Sequence, residues 1–308
     1  MTRAEFLKGA AAGCVLAATD RVGAASRAPL APCRDYASLQ GEIDLVSNVE
    51  YRRYLQGGEV GFDALARLED AFDKVLAEVR STVVTGCPAV WFVYNMGVIV
   101  KTAKVCFSID LMHRRALEFA PLLDFALITH NHGDHFTREF YEAMDRAGKT
   151  VINNFACNYG AADWKKGGAD WAKKGGYTRA EKTFLIEDVE IRTGLSDHNG
   201  YLVDFTSTFE ITVGDYRIYH SGDSANLDKL HPQPSPDLWI VHPVCGVKVD
   251  EGVRKFSPKT TVLAHLNELG HAKGGSRWTW QRGLSEMAKV EAVGGKAVVP
   301  LWGDRLDA

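Results

Sequence analysis

The stretch Leu122-Leu123-Asp124-Phe125-Ala126-Leu127-Ile128-Thr129-His130-Asn131-His132-Gly133-Asp134-His135 governs how the rest of this 308-residue chain is read. A largely apolar run, suited to a buried strand, ends where three histidines and an aspartate fall within six positions. Imidazole and carboxylate are the usual ligands of zinc and related divalent ions. In an extended segment His130 and His132 point to the same side, because side chains alternate with a period of two. Gly133 lets the chain turn sharply, bringing Asp134 and His135 back toward the same point. The competing reading is a histidine-rich surface loop, which the density of the motif and its place at a strand end disfavour.

The bulk composition is that of a protein with a sizeable core. Hydrophobic residues make up 46% and charged residues 24%, which suits one large domain with an appendage or two small domains. The formal net charge of -3 gives no electrostatic reason to expect nucleic acid or an anionic membrane as partner. The six cysteines (14, 33, 87, 106, 157 and 245) are scattered without a CxxC pair, which excludes a zinc ribbon and argues against a disulfide framework. Cys106 and Cys157, in apolar surroundings, read as small core residues.

Working outward, residues 1–33 read as an export signal and linker. Arg3 and Lys8 precede a short small-apolar run, Gly9 to Ala18, too short to span a bilayer. Thr2 to Lys8 is similar to a twin-arginine motif, with Ala4 where the second arginine belongs. A periplasmic location follows, with the cytoplasm as the alternative. Residues 34–84 form a helical extension: Phe62, Leu65, Leu68, Phe72, Val75, Leu76 and Val79 recur at helical spacing, and a preceding helix over 44–55 ends at Gly57-Gly58.

Residues 85–308 form the main domain. Strands are expected over 90–94, 97–102, 104–110 and 122–129, then a helix over 137–147 with Thr137 as N-cap and Gly148 past its end, then a strand over 150–155. An insertion follows in which Ala162 to Gly168 is nearly repeated by Ala169 to Gly176. Its Trp164, Lys166, Trp171 and Lys174 suit either a substrate-contacting lid or a solvated surface excursion, and long loops more often are the latter. Further strands fall at 183–186, 189–193, 201–207, 208–213, 216–221, 238–242, 260–264 and 297–301, with a helix over 279–293. By pattern alone this is an α/β (α+β) chain with two sheets and helices outside them.

Four motifs in order carry a family resemblance. His130-Asn131-His132-Gly133-Asp134-His135 is an H-x-H-x-D-H motif; His198 follows a strand, Asp223 lies in Ser221-Gly222-Asp223, and His265 ends a late strand. Together they resemble the metallo-β-lactamase superfamily from about Ala89 to the C-terminus. Ile218 to Asp223 is also similar to its L-ascorbate-6-phosphate lactonase-like branch. The resemblance implies a four-layer αββα sandwich with an N-terminal helical extension. It implies two divalent metal ions, zinc foremost and manganese or iron as alternatives. One would be held by His130, His132 and His198, the other by Asp134, His135 and His265, with Asp223 bridging. Asp134 and Asp223 would be the catalytic carboxylates. The implied activity is hydrolysis of a small ester, lactone, amide or phosphoester by a hydroxide held at the dinuclear centre, with a small-molecule substrate and no nucleic acid.

The remaining histidines divide by position. His220 lies near the Asp223 loop and suits a place behind the ligands. His271 is the alternative to His265, which is preferred because it ends an apolar strand. His242 precedes Pro243 at a strand end and reads as a structural histidine beside the pocket. His113 reads as solvent-facing on a short helix, and His231 as surface loop. Other readings are a phosphodiesterase or nuclease of the same superfamily, a di-iron redox protein (disfavoured by histidine at 132, where that branch has glutamate) and a non-catalytic metal binder. A zinc β-lactamase of the best-known subclass would carry cysteine where Asp223 stands.

Overall fold

The computed structural model describes residues 35–154, 181–199 and 202–306. The expected export signal and the Trp/Lys insertion lie outside them. Two sheets form the centre. The first has the order β1 (Ala89–Tyr94), β2 (Gly97–Lys101), β3 (Cys106–Ile109), β4 (Phe125–Leu127), β5 (Thr150–Ile152). Its first three strands are antiparallel, whereas β3, β4 and β5 run parallel. The second sheet runs from β6 (Lys182–Ile186) through β7 (Val189–His198), β8 (Leu202–Val213), β9 (Tyr216–His220), β10 (Leu238–Val241) and β11 (Thr260–Leu263) to β12 (Ala297–Val298). Strands β6 to β9 form an antiparallel meander, and β9 to β12 are parallel.

Period-two alternation sorts the strand residues between two cores. Val90, Phe92, Val98, Val100, Phe107 and Phe125 of the first sheet meet Ile191, Phe209, Ile211, Ile218, Ile240 and Val262 of the second. The opposite faces, with Trp91, Val93, Tyr219, Trp239 and Leu263, pack against helices. This is helix, sheet, sheet, helix. The helices are α1 (Tyr36–Ile43), α2 (Asn48–Leu55), α3 (Asp63–Ser81), α4 (Arg138–Arg146), α5 (Val249–Phe256) and α6 (Trp280–Ala292). The apolar stripe of α3 (Leu65, Leu68, Phe72, Val75, Leu76 and Val79) shares a core with the first sheet, so residues of the 34–84 segment pack as part of the sandwich. The C-terminal segment pairs with β1: Phe92 N–H donates to Asp304 O and Leu306 N–H to Val90 O. It thus covers an edge that would otherwise leave backbone groups unpaired.

Several local expectations need correction. The helix expected over 44–55 begins only at Asn48: Asp44 is the C-cap of α1, and Ser47 and Glu50 form a reciprocal capping box that starts α2. The strands over 201–207 and 208–213 are one strand, and β7 continues past Thr193 to His198. Helix α5 was not anticipated, although Val249, Gly252, Val253 and Phe256 follow helical spacing, with acids in its first turn and bases in its last. His113 is buried, not solvent-facing, and its ring stacks on Phe72 at 4.1 Å. Its Nδ1 accepts from Arg115 N–H, which leaves the proton on Nε2 to donate to Tyr54 Oη at 2.9 Å. Burial pushes this imidazole down to about 3.

Candidate metal centre

Strands from both sheets end at one edge, and each delivers a polar side chain there. Asn95 follows β1, Asp110 follows β3, His130 to His135 follow β4, and His198 ends β7; Asp223 follows β9, His242 follows β10 and His265 follows β11. Two backbone hydrogen bonds tie the sheets together at this edge, from Ser207 N–H to Thr129 O and from His265 N–H to Asn95 O. Backbone in the left-handed region also gathers here: Asn95, Asp110, Asn199, His265 and Asn267 all have φ between 46° and 57°. Such conformations cost energy in non-glycine residues and persist where surrounding contacts over-determine them. Gly222 has φ 56°, and a Cβ there would lie 2.8 Å from Thr206 Oγ1 and 3.0 Å from Thr129 Cβ. Only glycine fits the turn that presents Asp223. His220, buried beneath it, accepts from Gly222 N–H through Nδ1 and donates to Met96 O through Nε2.

The buried carboxylate of Asp110 sets the direction of two histidines. It accepts from Thr129 N–H through Oδ1, and from Thr129 Oγ1 and His135 Nδ1 through Oδ2. His135 is thereby held with its Nε2 toward the centre. The Thr129 hydroxyl, having given its proton to Asp110, accepts from His130 Nδ1 at 3.0 Å and turns that ring's Nε2 inward as well. His130 Nε2 and His132 Nδ1 stand 3.1 Å apart. That spacing is close to the ~3.3 Å edge of a tetrahedron with Zn–N bonds of about 2.0 Å.

Asp223 is the hub. Its Oδ2 lies 3.3 Å from His135 Nε2, 3.3 Å from His265 Nε2 and 3.6 Å from His198 Nε2. Asp134 Oδ2 accepts from His265 Nε2 at 3.0 Å, and Asn95 Nδ2 donates to the Asp134 carbonyl. Groups whose ligand atoms lie mutually within 4.8 Å include His130/His132/His198, His130/His135/Asp223 and Asp134/His135/His265. A further group, Asp223/His242/His265, brings His242 to the centre. Its ring stacks on His265 at 4.0 Å and its Nδ1 accepts from Val244 N–H, so it faces the pocket rather than serving only as core filler. His271 is farther out, 34% exposed, with Nε2 3.7 Å from Asp134 Oδ2.

The electrostatics are those of a site that concentrates positive charge. Burial pulls His135 down, but Asp223, Asp134 and Asp110 hold it well above the ordinary imidazole range. Burial likewise opposes, and Asp223 and Asp134 outweigh it, in lifting His265 to about 10. Burial would raise Asp134 and Asp223, yet His135 and His265 keep both well below the carboxylate range. Burial and neighbouring imidazoles press His130 well down and His132 to about 4. Among buried atoms without a hydrogen-bond partner are His135 Nε2, His198 Nδ1, Asp223 Oδ1 and His265 Nδ1. Orphaned donors of this kind, converging on shared carboxylates, fit divalent cations. A cavity of about 210 Å³ opens onto them, walled by Val244, Cys245, Ser276 and Trp278.

Solved structures carry the comparison further. Igni18, a metallo hydrolase of the archaeon Ignicoccus hospitalis, superposes at TM-score 0.53 with 17% identity, over 71% of this chain and 97% of that one. YhfI of Bacillus subtilis, a metallo-β-lactamase fold protein, superposes at TM-score 0.54 with 14% identity, over 72% and 99%. This chain has the metallo-β-lactamase fold. No protein-family model matches it. An isothiocyanate hydrolase from Delia radicum gut bacteria shares this fold at TM-score 0.50 and 14% identity, over 71% and 98%. The di-iron β-hydroxylase CmlA of Streptomyces venezuelae shares it at TM-score 0.51 and 15% identity, over 72% of this chain and 54% of that one. Of these neighbours, one is thus named a metallo hydrolase, one an isothiocyanate hydrolase and one a di-iron β-hydroxylase.

Within this metallo-β-lactamase-fold chain the seven residues predicted as ligands, His130, His132, Asp134, His135, His198, Asp223 and His265, all meet at one edge. Sequence reasoning passed over Asp110, Asn95, Thr129 and Cys245. Asp110 was visible as the end of a strand, but its partners lie 19 and 25 residues away. Trp164, Lys166, Trp171 and Lys174 lie outside the described residues. Among the described residues no helix is long and apolar enough to cross a membrane.

Proposed function

We propose that this protein is a metal-dependent hydrolase with a dinuclear centre, zinc foremost and manganese or iron as alternatives, acting on a small ester, lactone, amide or phosphoester. The observation that carries the reading is the position of Asp223 Oδ2, within 3.6 Å of three imidazole nitrogens delivered by three different strands. A carboxylate shared in this way offsets the repulsion of two adjacent cations. His130, His132 and His198 would hold one ion, and Asp134, His135 and His265 the other. Divalent ions there supply Lewis acidity, bringing the pKa of a hydrolytic water toward about 7 and polarising the C=O or P=O group attacked.

The chain's own groups do the rest. Asp110 fixes the tautomers of His135 and, through Thr129, of His130. Asp134 lines the cavity, and its carboxylate orients the attacking water by accepting its hydrogen bond. Trp278 and Val244 give the substrate an apolar wall, while Ser276 and Asn199 offer polar contacts. The cavity suits a small molecule. The likeness of Ile218 to Asp223 to the lactonase-like branch is the reason for including lactones among the candidate substrates.

Metal content by elemental analysis, on wild type and the Asp223→Ala and His132→Ala variants, tests the reading. Each protein is assayed against a lactone, a phosphodiester, an amide and an isothiocyanate. About two ions in wild type, fewer in the variants and variant-sensitive turnover support it. Iron with oxygen consumption supports the di-iron redox alternative instead, and a wild-type protein that retains no metal after loading removes the centre altogether.

A further inference from the structure

Cys245 belongs to none of the ligand sets above. It sits in His242-Pro243-Val244-Cys245-Gly246, the turn that follows β10, and its side chain lines the cavity. Its Sγ, a nitrogen of His198 and a carboxylate oxygen of Asp223 all lie within 4.8 Å of one another. The Sγ donates to the Asp223 carbonyl at 3.1 Å, with Asn199 Oδ1 at 3.9 Å.

The backbone shows that this placement is held. Gly246 has φ 142°, and a Cβ there would lie 3.0 Å from both Cβ and O of Ala225, so the Cys245 turn is pressed against the segment that follows Asp223. Ala225 N–H in turn donates to Asp197 O at 2.7 Å, beside His198. Three loops carrying Asp223, His198 and Cys245 are therefore laced together. Two buried atoms of this group lack a hydrogen-bond partner: Asp223 Oδ1 and His198 Nδ1, on residues 4% and 6% exposed.

We propose that Cys245 is a further metal ligand, its thiolate joining the ion held by His130, His132 and His198 on the side shared with Asp223. The inference rests on the dinuclear reading above. Coordination exchanges the S–H bond for a sulfur–metal bond and releases one proton to solvent; no electron moves. Three imidazoles bring no charge to their ion, so a thiolate lowers its net charge and softens the site toward zinc or cobalt over manganese. The two positions are then chemically unequal, one with sulfur and one with only nitrogen and oxygen.

Cobalt(II) loading of the full chain tests this without reference to activity. Wild type is expected to show a sulfur-to-cobalt charge-transfer band in the near ultraviolet beside the visible d–d bands. Cys245→Ser and Cys245→Ala are expected to lose the charge-transfer band and keep d–d bands, and to release one ion about tenfold more readily to a chelator. Circular dichroism verifies that the variants are folded. Because five other cysteines are present, a band that survives in both variants overturns the assignment, as does a cobalt-loaded wild type with d–d bands alone. In both of those outcomes the dinuclear centre stands. Failure of wild type to bind cobalt at all sinks the proposal and that reading together.

Discussion

Asp110 Oδ2 lies 2.9 Å from His135 Nδ1, and both side chains are fully buried. A histidine held in this way by a carboxylate keeps one tautomer and one ring orientation, and its ligating nitrogen becomes more basic. The same Asp110 oxygen accepts from Thr129 Oγ1, which orients His130, so a single residue outside the candidate ligand set orients two of its members. Asp110→Asn is expected to preserve the fold and weaken metal retention about 10- to 100-fold, because its amide turns either a donor or a weaker acceptor toward His135. Competition with a chromophoric chelator measures this. Unchanged affinity would show that Asp110 serves packing alone.

Gly222→Ala tests the turn under Asp223. The left-handed φ of 56° costs an L-residue about 1–2 kcal/mol. The added methyl meets Thr206 and Thr129, and overpacking of this kind typically costs about 1–3 kcal/mol more. Asp223 moves with the turn, so we expect a lower thermal midpoint and loss of bound metal together. Gly222→Ala with full metal content and native stability would contradict the geometry.

His113 makes a pH prediction away from the metal centre. Its folded pKa is depressed to about 3, with burial the leading cause, against an ordinary value of 6.5. Between these values the unfolded chain binds a proton that the folded chain does not. Stability is therefore complete above about pH 6.5 and lost as pH falls toward 3, at up to about 1.4 kcal/mol per pH unit from this one group. His113→Gln removes that proton. Urea unfolding at pH 7, 6, 5 and 4 is expected to show a shallower acid limb in the variant, with the contributions of the metal ligands cancelling between the two proteins. Equal slopes would mean that His113 is protonated within the fold.

Much of the fold and of the ligand set was legible because the information is local. His130 to His135 encodes four ligand candidates in one turn, and the apolar strands before His130 and His265 place them at strand ends. What stayed illegible is set by distant pairing. His113 reads as exposed beside Arg114 and Arg115, yet those arginines reach Glu69 of α3, and Tyr54 and Phe72 close over the imidazole. Cys245 looks like one of six scattered cysteines until β9 and β10, neighbours in the sheet, bring its turn against Asp223. Ser47 is the opposite case: Ser47-x-x-Glu50 is a local capping-box signal, legible in sequence, that starts the helix at Asn48 rather than Asp44.

His265 and His271 compete for one role, and the structure separates them. His265 is buried, with Nε2 3.0 Å from Asp134 Oδ2 and 3.3 Å from Asp223 Oδ2. His271 is 34% exposed, with Nε2 3.7 Å from Asp134 Oδ2 and Nδ1 3.6 Å from Glu268 Oε2. Its turn is held from below by buried Glu268, which accepts from Gly270 N–H and His271 N–H. His265→Ala is expected to lose about one ion per chain and to cut turnover by more than about 100-fold, since an ion and its Lewis acidity go together. His271→Ala is expected to keep both ions and to change kcat or KM by about tenfold, the scale of one lost hydrogen bond to substrate. Elemental analysis beside steady-state kinetics separates the two. Retention of both ions by His265→Ala, with loss from His271→Ala, would transfer the ligand role to the outer histidine and mean that the strand end at Leu263 positions its neighbour for something else.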